Sequence, residues 1–142
     1  MVSNAEQKQV ATAAYGEGDA SYRAAGGYEG LRQLCERFYF YMDTLPEAAG
    51  IRAMHKADLE DSTDRLTSFL SGWLGGPRLY REKYGQIIIP QAHRHLEIGT
   101  AERDAWLLCM RRALDDQPVA EDFKEYLMQQ LYRPAEFSRN RD

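Results

Sequence analysis

Apolar positions recur along most of this chain at steps of three and four, the spacing that gathers one face of an α-helix. Over residues 28–44 the series Leu31, Leu34, Cys35, Phe38, Met42 and Leu45 keeps that step, and Pro46 marks its end. A second series, Leu59, Leu66, Phe69, Leu70, Trp73 and Leu74, starts beside Asp58, a natural capping residue, and closes at Gly75-Gly76-Pro77. Thr100 predicts the N-cap of a third helix, with Trp106, Cys109, Met110, Ala113 and Leu114 on one side. Pro118 suits the first turn of a last helix, whose stripe is Val119, Phe123, Tyr126, Leu127 and Leu131 and whose predicted stop is Pro134. Shorter pieces fall between: a brief helix over 20–25, a connector over 47–56 that carries His55, and a loop with a helical turn over 78–86. Ile87-Ile88-Ile89 is the one strand candidate, and one strand cannot build a sheet, so the expected class is all-α.

Bulk properties narrow this picture. A chain of 142 residues, 44% hydrophobic and 11% aromatic, fits one packed domain. A net charge of −4 gives no broad basic footprint, so no nucleic-acid partner is expected. No apolar run approaches the ~20 residues that cross a bilayer, and the first residues form no secretory leader, so no membrane partner and a cytoplasmic location are expected. Cys35 and Cys109 sit in apolar helical patterns and read as buried thiols. Residues 1–18, polar and alanine-rich, are expected to be an N-terminal extension, and residues 133–142 a polar, frayed tail.

Two of the three histidines, His93 and His95, flank Arg94. If residues 89–97 are helical, Ile89, His93 and Leu96 share a face, so His93 turns to the core and His95 to water. In a strand both would point one way and could clamp a metal, but Pro90 and the neighbouring helices argue against it. A core-facing histidine is either a hydrogen-bonded structural residue or the ligand of a flat cofactor between helices, haem above all. Pattern alone leaves both open.

The combination Arg37-Phe38-Tyr39, Leu66 with Phe69-Leu70, Gly75-Gly76-Pro77, His93-x-x-Leu96-x-Ile98 and Glu102-Arg103-Asp104-Ala105-Trp106-Leu107 resembles the group II truncated haemoglobins over roughly residues 22–131. The resemblance implies a truncated globin domain over 19–132, a two-over-two helical sandwich around haem b, with His93 as the proximal iron ligand. It implies a distal group of Tyr39, His55 and Trp106, with Ser62 and Leu66 lining the ligand pocket. Phe69, Trp73, Leu96 and Ile98 would contact the cofactor, and Arg65 and Tyr80 would reach its propionates. Many relatives carry arginines one and three residues before the proximal histidine. Here those positions are Ala92 and Pro90, which leaves propionate contacts to Arg65, Tyr80, Lys83 or Arg94.

Such a protein would bind O2, NO, CO or similar small ligands. Phenol and indole donors aimed at a bound ligand would slow its escape, which suits sensing or detoxification of nitric oxide and reactive species better than bulk oxygen transport. The competing readings are a peroxidase or nitric oxide dioxygenase and a cofactor-free interaction bundle. With no flavin or nicotinamide motif in the chain, redox turnover would need an external reductase.

Overall fold

The computed structural model describes residues 15–141, which form a helical protein. In chain order the helices are α1 (Ala20–Ala24), α2 (Gly27–Thr44), a 3-10 turn (Pro46–Ala48), α3 (Ala49–Ala53), α4 (Glu60–Trp73), α5 (Leu79–Tyr84), α6 (Ile89–Ala92), α7 (Thr100–Asp115) and α8 (Glu121–Phe137). The four long ones pack as two pairs, α2 on α4 and α7 on α8, with α2 also lying along α7. Two helices thus pack over two, the arrangement that the resemblance implies. No strand forms among the described residues: Ile89 opens α6, Ile88 before it is extended, and Ile87 belongs to no regular element.

The core is the predicted set of stripes. Leu31, Cys35 and Phe38 of α2, Leu70 of α4, Cys109, Met110 and Ala113 of α7, and Phe123 and Leu127 of α8 are fully buried. The apolar set on α4 divides, however. Thr63, Thr67, Leu70 and Leu74 face the core, while Ser62, Leu66, Phe69 and Trp73 form a second stripe one position round the helix. The two threonine hydroxyls of the core stripe are satisfied within the helix: Thr63 and Thr67 donate to the carbonyls of Leu59 and Thr63, both at 2.7 Å. Small side chains there let α4 approach α2 closely and leave its larger apolar residues to the other side.

The glycines after α4 allow a close contact. Gly75 adopts φ +91°, and a Cβ there would lie 1.9 Å from the Gly18 carbonyl oxygen. A Cβ on Gly76 would meet the Tyr22 ring at 2.4 Å. The Tyr22 N–H donates to the Leu74 carbonyl at 3.1 Å, so this turn docks the start of the described chain onto the end of α4.

Several ends differ from expectation. Asp58 does serve α4, its carboxylate accepting from the Glu60 N–H at 3.0 Å. Thr100 is the first residue of α7 and Gly99 its cap; Glu102 reaches back to the Gly99 N–H at 2.7 Å and makes a capping threonine unnecessary. Pro118 lies in the connector, and α8 starts at Glu121. Pro134 does not stop α8, which runs on to Phe137. The turn beyond the proline is tied back by the Glu136 carboxylate, which pairs with Arg103 of α7 and with Arg139. Residues 1–14 of the expected N-terminal extension lie outside the described residues. Its end does not trail away: Tyr15 packs edge-on against Phe123 at 5.5 Å and donates to Asp122 at 3.1 Å.

Candidate functional site

The site begins on α2. Phe38 faces the core, and Tyr39 is turned about 100° from it. The Phe38 ring lies 4.9 Å from that of Tyr39 and 5.0 Å from that of Trp106, so one core phenylalanine holds both polar aromatics. Tyr39 is only 8% exposed, yet its hydroxyl makes no hydrogen bond among the described residues. Burial raises its pKa well above the ordinary phenol value, so the group stays protonated and can only act as a neutral donor or acceptor. The half-buried Trp106 likewise has an indole N–H with no protein acceptor among the described residues.

His55 follows α3 and meets the Tyr39 ring edge-on at 5.7 Å. Its Nδ1 is 2.8 Å from the Ile51 carbonyl. A carbonyl can only accept, so Nδ1 carries the proton and Nε2 keeps the lone pair. Burial lowers the His55 pKa; the charges of Arg52 and His93 lower it further, against the Ile51 carbonyl, which raises it.

His93 lies just past α6, half-buried, while His95 is exposed. That is the order the facing argument expects, although α6 ends at Ala92 rather than continuing to Glu97. His93 repeats the pattern of His55: Nδ1 donates to the carbonyl four residues back, that of Ile89, at 2.8 Å. Its Nε2 is therefore the lone-pair nitrogen, the form in which histidine binds a metal. The two-histidine clamp does not form, and no group of three or more His, Cys, Asp or Glu side chains is placed to hold a bare metal ion among the described residues.

Apolar walls accompany these groups. On the second face of α4, Phe69 and Trp73 stack at 6.1 Å, and Tyr80 of α5 meets Phe69 at 6.5 Å. Ser62 and Leu66 continue the same face and are half-buried. Beside α6, Ile88 is 51% exposed, Leu96 is half-buried and Ile98 is buried. Trp73 and Ile89 line a cleft of about 480 Å³ with Gln130, Pro134 and Phe137 of α8. Large apolar side chains left uncovered in this way mark a surface built to be covered. A flat apolar ring with a central metal fits both the partly exposed stripe, which ends in Trp73, and the bare Nε2.

The expected propionate contacts are only partly assembled. Arg65 pairs with Asp61 at 2.8 Å and lies 4.1 Å over the Tyr84 ring, which packs 5.0 Å from the ring of Tyr80. Lys83 is instead held by Asp64 at 3.1 Å. Arg94 is exposed, with no ion pair among the described residues.

The family model for bacterial-like globins matches residues 20–140. Over 113 residues, 80% of this chain and 83% of the relative, the chain is 32% identical to the group 2 truncated haemoglobin YjbI of Bacillus subtilis. The chain belongs to the group II truncated haemoglobins. Among solved structures, this globin is similar to the group II 2-on-2 haemoglobin of Agrobacterium tumefaciens, with 43% identity, a TM-score of 0.82, and 86% of this chain and 95% of that one covered. It is also similar to the truncated oxygen-avid haemoglobin of Bacillus subtilis, with 31% identity, a TM-score of 0.77, and 84% and 98% covered. A globin binds haem and small diatomic ligands such as O2, and the stripe and histidine described above fit that cofactor. Among the described residues no helix is long and apolar enough to cross a membrane.

Ser138 and Asn140 were not singled out by the sequence. Both contact the His93 segment, with Asn140 Nδ2 3.3 Å from the His93 carbonyl oxygen. A serine and an asparagine in a polar terminus carry no periodic signal by which to find them.

Proposed function

We propose that this globin holds haem b between the Leu66–Phe69–Trp73 stripe of α4 and the His93 segment, and retains O2 tightly enough to serve sensing or nitric oxide detoxification rather than oxygen transport. The observation that carries the reading is the pinned His93 imidazole, whose Nδ1–H is committed to Ile89 and whose Nε2 is left for iron. When bound, haem supplies an iron centre that takes a diatomic ligand and lends it electron density. Tyr39 and Trp106 are then the preorganised donors, since neither spends its proton on the protein. His55, held neutral by burial, packs on Tyr39 and limits where the phenol can turn. Leu66 and Ser62 exclude bulk water from the distal side, and Phe69, Trp73, Leu96 and Ile98 supply apolar contact. Arg65 and Tyr80 are the propionate partners in this reading, because both pack on Tyr84 at the α4–α5 edge.

Haem b rather than a covalently attached haem is supported by the two cysteines, which are both buried in the core and form no Cys-x-x-Cys-His run. The similarity to an oxygen-avid relative supports slow ligand release. Turnover with nitric oxide would draw electrons from an external reductase, in the cytoplasm. The test is nitric oxide consumption by the oxygenated protein with a chemical reductant. Nitrate formation well above that of free haem, and lost in Tyr39→Phe, is expected; a rate equal to free haem contradicts the detoxification role.

A further inference from the structure

The chain beyond α8 is bonded into the loop that carries His93. Asn140 Nδ2 donates to the carbonyls of His93 at 3.3 Å and Leu96 at 2.6 Å, and its Oδ1 accepts from the Ile98 N–H at 2.9 Å. The backbone N–H groups of Asn140 and Arg141 both donate to the Ile98 carbonyl, at 2.8 and 2.9 Å. These are backbone groups of the non-helical loop between α6 and α7; one asparagine side chain pairs with the Leu96 carbonyl and the Ile98 N–H and adds a second donor to the His93 carbonyl, which also accepts from the Leu96 N–H at 3.0 Å. Ser138 adds a contact to the histidine itself. Its hydroxyl donates to the Pro134 carbonyl at 2.9 Å, so an oxygen lone pair faces His93 Nδ1 at 3.5 Å, beside the Ile89 carbonyl. The Nδ1 proton thus has its near acceptor in the Ile89 carbonyl and a longer contact to the hydroxyl of Ser138, the residue that follows α8. Buried Phe123, Leu127 and Leu131 fix α8 in the core, so the strap ties His93 to a rigid element.

We propose that Ser138 and Asn140 are positioning residues for the iron ligand, setting the orientation of His93 and through it the strength of its bond to haem iron. Partners in the outer shell of a metal-bound histidine fix its ring orientation and its basicity, and losing one typically costs about 10–100-fold in affinity. This rests on the reading of His93 as the proximal ligand.

The test uses the full chain loaded with haem. Two quantities are read in the ferrous ligand-free protein and on haem transfer to an acceptor globin: the iron–histidine stretching band in resonance Raman, and the rate of haem loss. Asn140→Ala is expected to shift and broaden the band and to speed haem loss about tenfold or more. Ser138→Ala, which keeps every contact of Asn140, is expected to shift the band while the thermal midpoint of the haem-free protein stays unchanged. Arg141→Ala, which removes only an exposed contact to Glu97, should leave both quantities unchanged. A wild-type band and haem-loss rate in both Ser138→Ala and Asn140→Ala would overturn the proposal while leaving the His93 reading intact. If the wild type lacks the band and His93→Gly retains haem as well as wild type, the ligand reading fails and the strap proposal falls with it.

Discussion

Replacing Tyr39 by phenylalanine separates what this side chain does for the fold from what it does for the ligand. The ring stays packed against Phe38 and His55 at 4.9 and 5.7 Å, and the only atom removed is a hydroxyl with no protein partner among the described residues. Nothing is orphaned, so the haem-free protein should change in stability by no more than about 0.5 kcal/mol. In the loaded protein the proposed role makes the same hydroxyl a donor to a ligand that carries partial negative charge. A hydrogen bond of that kind contributes about 1.5–3 kcal/mol, which is roughly 10- to 150-fold in the rate of ligand escape. Oxygen dissociation measured by stopped-flow displacement should accelerate by that factor, with association little changed. A dissociation rate within about threefold of wild type would mean that the phenol does not donate to the ligand. A loss of about 2 kcal/mol in the haem-free protein would mean that it serves the fold instead.

Gly75→Ala would place a Cβ 1.9 Å from the Gly18 oxygen at a left-handed φ, and should cost at least ~2 kcal/mol, or about 5 °C in thermal midpoint. An unchanged melting curve would show that the turn is not held against residue 18. Because the His55 pKa is lowered on folding, the unfolded chain binds the extra proton first as pH falls. Stability of the haem-free protein should therefore be full above about pH 6.5, the unfolded value, and decline below it. His55→Phe should flatten part of that decline in urea titrations, and an identical slope would refute the assignment. Burial pushes the thiols of Cys35 and Cys109 up to about 12 and about 11. A thiol reagent at pH 8 should label neither in the native protein and both in denaturant; rapid native labelling would contradict the buried placement.

The long helices were legible because each buries one stripe against one neighbour, and burial is what periodicity records. The same rule merged two faces of α4. Leu70 and Leu74 face the core while Leu66, Phe69 and Trp73 line the second stripe, and a helix apolar on both sides looks in sequence like one broad stripe. Pro134 misled for a different reason. The helix-breaking rule describes an isolated helix, and here Leu131 before the proline and Glu136 after it are both anchored by other elements. His93 and His95 were told apart by facing alone, and only the family pattern gave His93 a chemical role. What the sequence could not show was Asn140, because its partners are carbonyls and an N–H of a loop far away in the chain, and backbone groups have no residue code.

His93, and not its neighbour two residues on, is the residue proposed to provide the nitrogen for haem iron. The most direct measurement is the absorption spectrum of His93→Ala and His95→Ala, each purified after expression with ample haem. His95→Ala should keep the wild-type Soret band, and His93→Ala should lose it or recover a five-coordinate spectrum only when free imidazole is added. A His95→Ala protein without haem beside a His93→Ala protein with an unaltered Soret band would contradict it.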